Sequence, residues 1–166
     1  MMKKIIIFLF LITIVFLSKE NKVVIPKESI RFRIIANSNN EKDQMLKWQV
    51  NKELIPILHD ITDVSNINDM RLNINNNLYD IDRITSKYTD NYMINYGLNY
   101  FPEKEYSGVV YPEGKYESLV ITLGDGLGDN WWCVLFPPLC LMEATKTDYS
   151  DVEYKLFVKE AINKYF

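Results

Sequence analysis

Apolar positions along this chain follow three rhythms, and each rhythm points to a different kind of element. Leu46, Val50, Leu54 and Ile57 share one face at helical spacing, as do Ile67, Met70, Ile74, Leu78, Ile81 and Ile84. Tyr154, Phe157, Ala161 and Tyr165 form a third such stripe. Ser38 with Glu41, and Ser150 with Glu153, supply capping boxes for the first and last of these helices, and Pro56 is expected to bend or end the first. The second helix is expected from about 66 to 87.

Strict alternation is the second rhythm. It marks strands over Ile30–Ala36, where Arg31 and Arg33 interleave with Ile30, Phe32 and Ile34, over Tyr92–Phe101, and over Glu117–Leu123. Two helices separate the first pair of strands and none separates the second. Such uneven spacing predicts an α+β single domain with a mostly antiparallel sheet packed by amphipathic helices, since a doubly wound fold needs regular alternation.

The third rhythm is an unbroken apolar run, Ile5–Leu17, interrupted only by Thr13 and preceded by Lys3 and Lys4. As a helix it would span about 20 Å at about 1.5 Å per residue, short of the ~30 Å hydrocarbon core, which fits a signal-peptide core better than a full span. The small-x-small cleavage pattern is missing, because Phe16 stands two places before Ser18. The expected organisation is a signal peptide or membrane anchor over 1–18, a charged linker over 19–29 and a domain over 30–166, with residues 2–17 able to act as a tether.

Composition narrows the function classes. The chain has 166 residues, 48% of them hydrophobic, and 19 Lys+Arg against 22 Asp+Glu give a formal charge of −3. Without a basic cluster past the N-terminus there is no footprint for a phosphate backbone, so no nucleic-acid partner is expected. Catalytic candidates are sparse. The single His is His59, next to the end of a helix, and nothing in the spacing brings it to Cys133 or Cys140 as a base. Two Cys and one His fall short of a structural zinc site, and Asp125 with Asp129 offers too few oxygens for calcium. No catalytic residue, metal or cofactor is expected.

The most unusual stretch is Gly124–Cys140, Gly-Asp-Gly-Leu-Gly-Asp-Asn-Trp-Trp-Cys-Val-Leu-Phe-Pro-Pro-Leu-Cys. The glycine spacing is not that of a dinucleotide-binding turn, and an extended aromatic run follows where a helix would be needed. In an extended run Trp131, Cys133 and Leu135 point one way and Trp132, Val134 and Phe136 the other. The stretch is then either a central buried strand or, at its glycine-rich mouth, a partner-binding surface. Gly124, Asp125, Gly126, Gly128, Asn130, Trp131 and Trp132 are the candidate contact residues, with one Trp buried and the other facing out. Cys133 and Cys140 are either a disulfide, worth roughly 2–3 kcal/mol for so short a loop, or two buried thiols.

The order Gly-x-Gly-x-Gly-x-Asn-Trp-Trp-Cys-Val-x-Phe-Pro-Pro-Leu-Cys resembles the most characteristic segment of the stage II sporulation protein R family of endospore-forming bacteria. Ile30-Arg31, Ile35-Ala36-Asn37-Ser38, Asp43-Gln44 and Leu46-Lys47 are similar to that family's N-terminal signature, with Arg33 where His is usual. Phe101-Pro102, Gly108 and the Pro112, Gly114, Tyr116 spacing also match. The resemblance implies an exported intercompartmental signalling protein that is not itself an enzyme. It would leave the forespore for the intermembrane space and activate a membrane-embedded aspartic protease of the mother cell, the protease that cleaves the sigma-E precursor. The alternatives from other classes are an exported cell-wall hydrolase, using acids such as Glu103, Glu105, Asp125 and Asp129, and a wall-binding module with aromatic platforms.

Overall fold

Helices form where the apolar stripes lie, and strands where the pattern alternates. The computed structural model describes residues 22–140 and 151–166. In chain order the elements are β1 (Val23–Val24), β2 (Ile30–Ile35), α1 (Glu41–Thr62), α2 (Ile67–Thr85), β3 (Tyr92–Phe101), β4 (Lys104–Tyr106), β5 (Val109–Tyr111), β6 (Gly114–Leu123), β7 (Asn130–Phe136) and α3 (Asp151–Tyr165). The export segment and the Ser150 cap fall outside the described residues.

One expectation about α1 is corrected and one is narrowed, since Pro56 does not end the helix. Its N-cap is Asn40, whose Oδ1 accepts from the Asp43 amide at 2.8 Å, while Ser38 is two residues too early and donates its hydroxyl to Asp43 Oδ2 at 2.7 Å. The helix also continues through Pro56 to Thr62. Leu58 and Ile61, beyond the proline, are buried, so core packing carries the helix past the missing N–H, and the exposed face bears the loss.

A four-stranded sheet in the order β3-β6-β2-β7 is the scaffold. β3 and β7 run antiparallel to their neighbours, but the central pair β2 and β6 is parallel. A smaller sheet, β1-β5-β4, is likewise mixed. The fold is α+β as expected, with mixed sheets in place of a mostly antiparallel one. The reason is the crossover: the chain passes through α1, α2 and β3 before β6 is laid beside β2, and only such a long connection permits a parallel neighbour. Val23, Val24 and Ile25, inside the stretch that the sequence marks as linker, join the fold by pairing β1 with β5 and burying Ile25. Three apolar residues are too few to register as a period.

The alternation of β2 and β6 assigns each face. Ile30, Phe32, Ile34, Leu119, Ile121 and Leu123 meet Val50, Leu54, Leu58 and Ile61 of α1 and Met70, Ile74, Ile81 and Ile84 of α2 in the main core. On the other face Val23, Ile25, Val109, Tyr111 and Val134 pack with Tyr154, Val158 and Ala161 of α3 in a second core. β7 serves both. Opposite the β2 step Ile30/Arg31 its register slips, with Ile30 facing Phe136 and Arg31 facing Val134, so one extra residue is accommodated. That bulge corrects the simple alternation: Phe136 joins Leu135 in the main core instead of Trp132 and Val134 on the far side.

Candidate functional site

The glycine-rich turn 124–128 does not stand free. It is interlocked with the loop 36–40 that follows β2. Asn37 Oδ1 accepts from the Asp125 amide at 2.9 Å, and Asn39 Oδ1 from the Asp129 amide at 2.6 Å. The amides of Leu127 and Gly128 donate to the carbonyls of Asn37 and Ala36 at 3.0 and 2.9 Å. The approach is close enough to require glycine: a Cβ on Gly128 would lie 2.3 Å from the Ser38 carbonyl oxygen, and Gly124 has φ +57 with Asn37 Oδ1 2.2 Å from where its Cβ would be. Lys47 of α1 closes the junction by donating to the Asp129 carbonyl at 3.0 Å. The loop side is braced by Asp43, whose Oδ2 accepts from Asn37, Ser38 and Asn40. Those hydrogen bonds, Ser38 first, hold its carboxyl below the usual carboxylate range.

The turn's locked glycines leave the start of β7 in a fixed place beside β2. Arg33 is opposite Trp132, Ile34 opposite Trp131, and Ile35 opposite Asn130. On this face the sequence predicts a half-exposed strand, and the structure differs. Arg31 is buried at 1% exposure, because the aromatic-rich connection from β3 to β6 folds over it. Its Cζ sits 3.4 Å from the Tyr116 ring centroid, and its Nη2 donates to the Pro112 carbonyl at 3.3 Å. Arg33 lies over Phe101 at 4.5 Å. Cation–π contact offsets part of the cost of burying these charges, and that cost still draws both guanidinium pKa values down. Arg31, Arg33, Phe101, Pro102, Lys104, Tyr111, Asn130 and Trp132 line a small cavity here. Arg31 and Arg33, Phe101 and Pro102, and Asn130 and Trp132, from three separate motif stretches, are thereby brought to one cavity.

The candidate contact residues divide in two. Gly124, Gly126 and Gly128 are half-buried in the junction, whereas Asp125 and Asp129 are exposed. Leu127, at the tip, is 80% exposed. Asn130, Trp131 and Trp132 are all half-buried, so neither Trp is the buried one of the pair. Trp131 packs edge-on against Phe32 at 5.8 Å on the main-core side, and Trp132 against Tyr111 at 4.5 Å on the other. β7 is an outer strand of its sheet, buried from Cys133 to Phe136 and only half-buried over Asn130, Trp131 and Trp132 at its glycine end. Cys133 and Cys140 form a disulfide with a Cα–Cα distance of 5.0 Å. His59 is exposed, with Nδ1 3.8 Å from Asp60 Oδ1, and both Cys are taken up in the disulfide, so neither is a thiol for it to activate. Glu105 pairs with Lys22 at 2.7 Å on the surface.

Of the residues lining this cavity, sequence reasoning missed Arg31, Arg33, Phe101, Pro102, Lys104 and Tyr111, and it missed Tyr116 beneath Arg31. The available signal was the density of aromatic residues between Phe101 and Tyr116, which had to cover something, and the alternation of β2 put two arginines under it.

A family model described as Stage II sporulation protein R (spore_II_R) matches residues 26–146 of the chain. The Stage II sporulation protein R of Bacillus subtilis (strain 168) is 42% identical over 136 residues, which cover 76% of this chain and 59% of that protein. The chain therefore spans less than two thirds of the length of this curated relative. No solved structure matches it.

Proposed function

Because the chain belongs to the stage II sporulation protein R family, we propose that it is an exported signalling protein of sporulation that activates a membrane-embedded aspartic protease in the mother cell, leading to cleavage of the sigma-E precursor. The observation that carries this reading is the family match across residues 26–146, which include the whole four-stranded sheet. Lys3, Lys4 and the apolar run Ile5–Leu17 supply the route out of the forespore into the intermembrane space, either as a removed signal or as a tether. The protein acts there by contact. A strand mouth interlocked with the loop 36–40, with a half-buried Trp on each face, suits that task, since Trp brings large contact area with few rotors to freeze.

The test is made in a sporulating host lacking its own copy of the gene, with precursor cleavage followed by immunoblot. The full chain should restore cleavage. A version lacking Met1–Leu17 should accumulate as folded protein inside the forespore and fail to do so. Cleavage that proceeds with no copy present, or equally well with the retained version, would overturn the reading.

A further inference from the structure

Arg31 and Arg33 form a pair of buried or half-buried cations for which no described residue supplies the counter-charge. Among the described residues neither arginine takes part in an ion pair, whereas Lys22, Arg71, Arg83 and Lys87 each meet a carboxylate. The Nε atoms of both are buried without a hydrogen-bond partner. Their side chains lie on one face of β2, two positions and so roughly 7 Å of backbone apart, and both guanidiniums lie over the Phe101 ring, so they repel each other in a medium that screens poorly. Lys104 adds a third positive group at the same cavity, its Nζ 5.3 Å from the Trp132 ring centroid. Aromatic faces soften such a cluster, but they leave the Nε–H of each guanidinium unsatisfied, and the Pro112 carbonyl that accepts from Arg31 Nη2 carries no full charge. The chain has net charge −3, yet among the described residues no acid pairs with either arginine.

From this geometry we infer that the cavity is a receptor for one carboxylate, presented by an acidic side chain on a segment of a partner protein. The guanidinium fork matches a planar carboxylate, and the walls formed by Phe101, Tyr111 and Trp132 exclude water from the contact, which strengthens it. Size sets the class. The cavity measures about 30 Å³, and roughly 10–15 Å³ admits one water, so two or three heavy atoms fit while a nucleotide or sugar does not. Exposed Pro102 and Lys104 stand at the rim, where the rest of the segment would run. The carboxylate chemistry stands on the cavity alone, and assigning it to a partner protein rests on the proposed signalling role.

The experiment follows the arginine Nε–H resonances of the full, disulfide-bonded chain while short peptides are added. A peptide bearing one aspartate or glutamate should shift both resonances, and its amide isostere should not. Arg33→Gln should leave thermal stability unchanged or raised, since it removes a half-buried charge without a partner. It should weaken the acidic peptide by roughly 10- to 100-fold, with Arg33→Lys in between. Equal shifts from the amide peptide, no shift at millimolar peptide, or tighter binding of inorganic phosphate would overturn the inference. In sporulating cells Arg33→Gln should reduce precursor cleavage to a similar degree. Undiminished cleavage in a strain that still depends on the chain would remove the partner assignment alone, whereas cleavage independent of the chain would remove the signalling role and leave the peptide titration to decide the cavity.

Discussion

Gly124 and Gly128 are fixed by what they touch, and their substitution should report how much the junction of the two loops contributes. A methyl on Gly128 would collide with the Ser38 backbone at 2.3 Å, and one on Gly124 would both meet Asn37 and strain a φ of +57. Each Gly→Ala change should therefore cost about 1–3 kcal/mol in urea unfolding. Gly97→Ala is the control: its nearest neighbour is Asn95 Oδ1 at 3.8 Å, and the change should be neutral or stabilise by about 0.4–1 kcal/mol through the unfolded chain. Equal effects at the three positions would mean that the interlock is incidental. Asp43 gives the junction a pH dependence. Its folded-state pKa is depressed by hydrogen bonds from Ser38, Asn37 and Asn40, so its contribution is complete above the pKa of an unfolded aspartate. It is lost as pH falls through the lower folded-state value. Protection factors at the Asp125 and Asp129 amides, which allow for the slower intrinsic exchange in acid, should fall over that window more than those of the main-core strands, and Asp43→Asn should flatten the response. An unchanged profile in the variant would remove Asp43 as the cause.

At the scale of elements, burial overrode local chemistry wherever the two disagreed. α1 runs past Pro56 because Leu58 and Ile61 lie in the main core, although the ring denies the helix one backbone hydrogen bond. Pro56 is exposed, so Pro56→Ala should restore that bond without disturbing the core and raise stability by about 1–3 kcal/mol. A drop in the urea midpoint would show instead that the packing has adapted to a bend at this point. The three helical stripes and the strands Ile30–Ile35 and Tyr92–Phe101 were legible because their periods persist over many residues and local pattern and tertiary burial agree. β1 was not, being two residues long, and neither was the β7 bulge, because the slip depends on the partner strand and leaves no mark on the hydrophobic pattern. The parallel pairing of β2 with β6 was hidden for the same reason: strand neighbours are settled by crossovers, while periodicity speaks only of faces.

On the scale of the whole molecule, β7 is the element that two hydrophobic cores share, and the candidate site lies where neither core quite covers it. The sequence pointed to Asn130-Trp131-Trp132 through residue type alone. It could not show that Arg31, Arg33 and Phe101 would be carried to the same place, since those contacts join residues far apart in the chain. The two Trp side chains now separate the roles of core and surface. Trp131 meets Phe32 of the main core, so Trp131→Ala should destabilise by about 2–4 kcal/mol, less than a fully buried Trp would. Trp132 meets Tyr111 and walls the arginine cavity. Trp132→Ala should cost less, about 1–3 kcal/mol, yet reduce precursor cleavage beyond what its stability predicts. Trp132→Phe, which keeps an aromatic wall, should recover most of that cleavage. Stability by denaturant titration and cleavage in sporulating cells are measured for all three variants. A single line relating cleavage to stability through all of them would make both Trp residues core and nothing more, and the strand mouth would cease to be a contact surface.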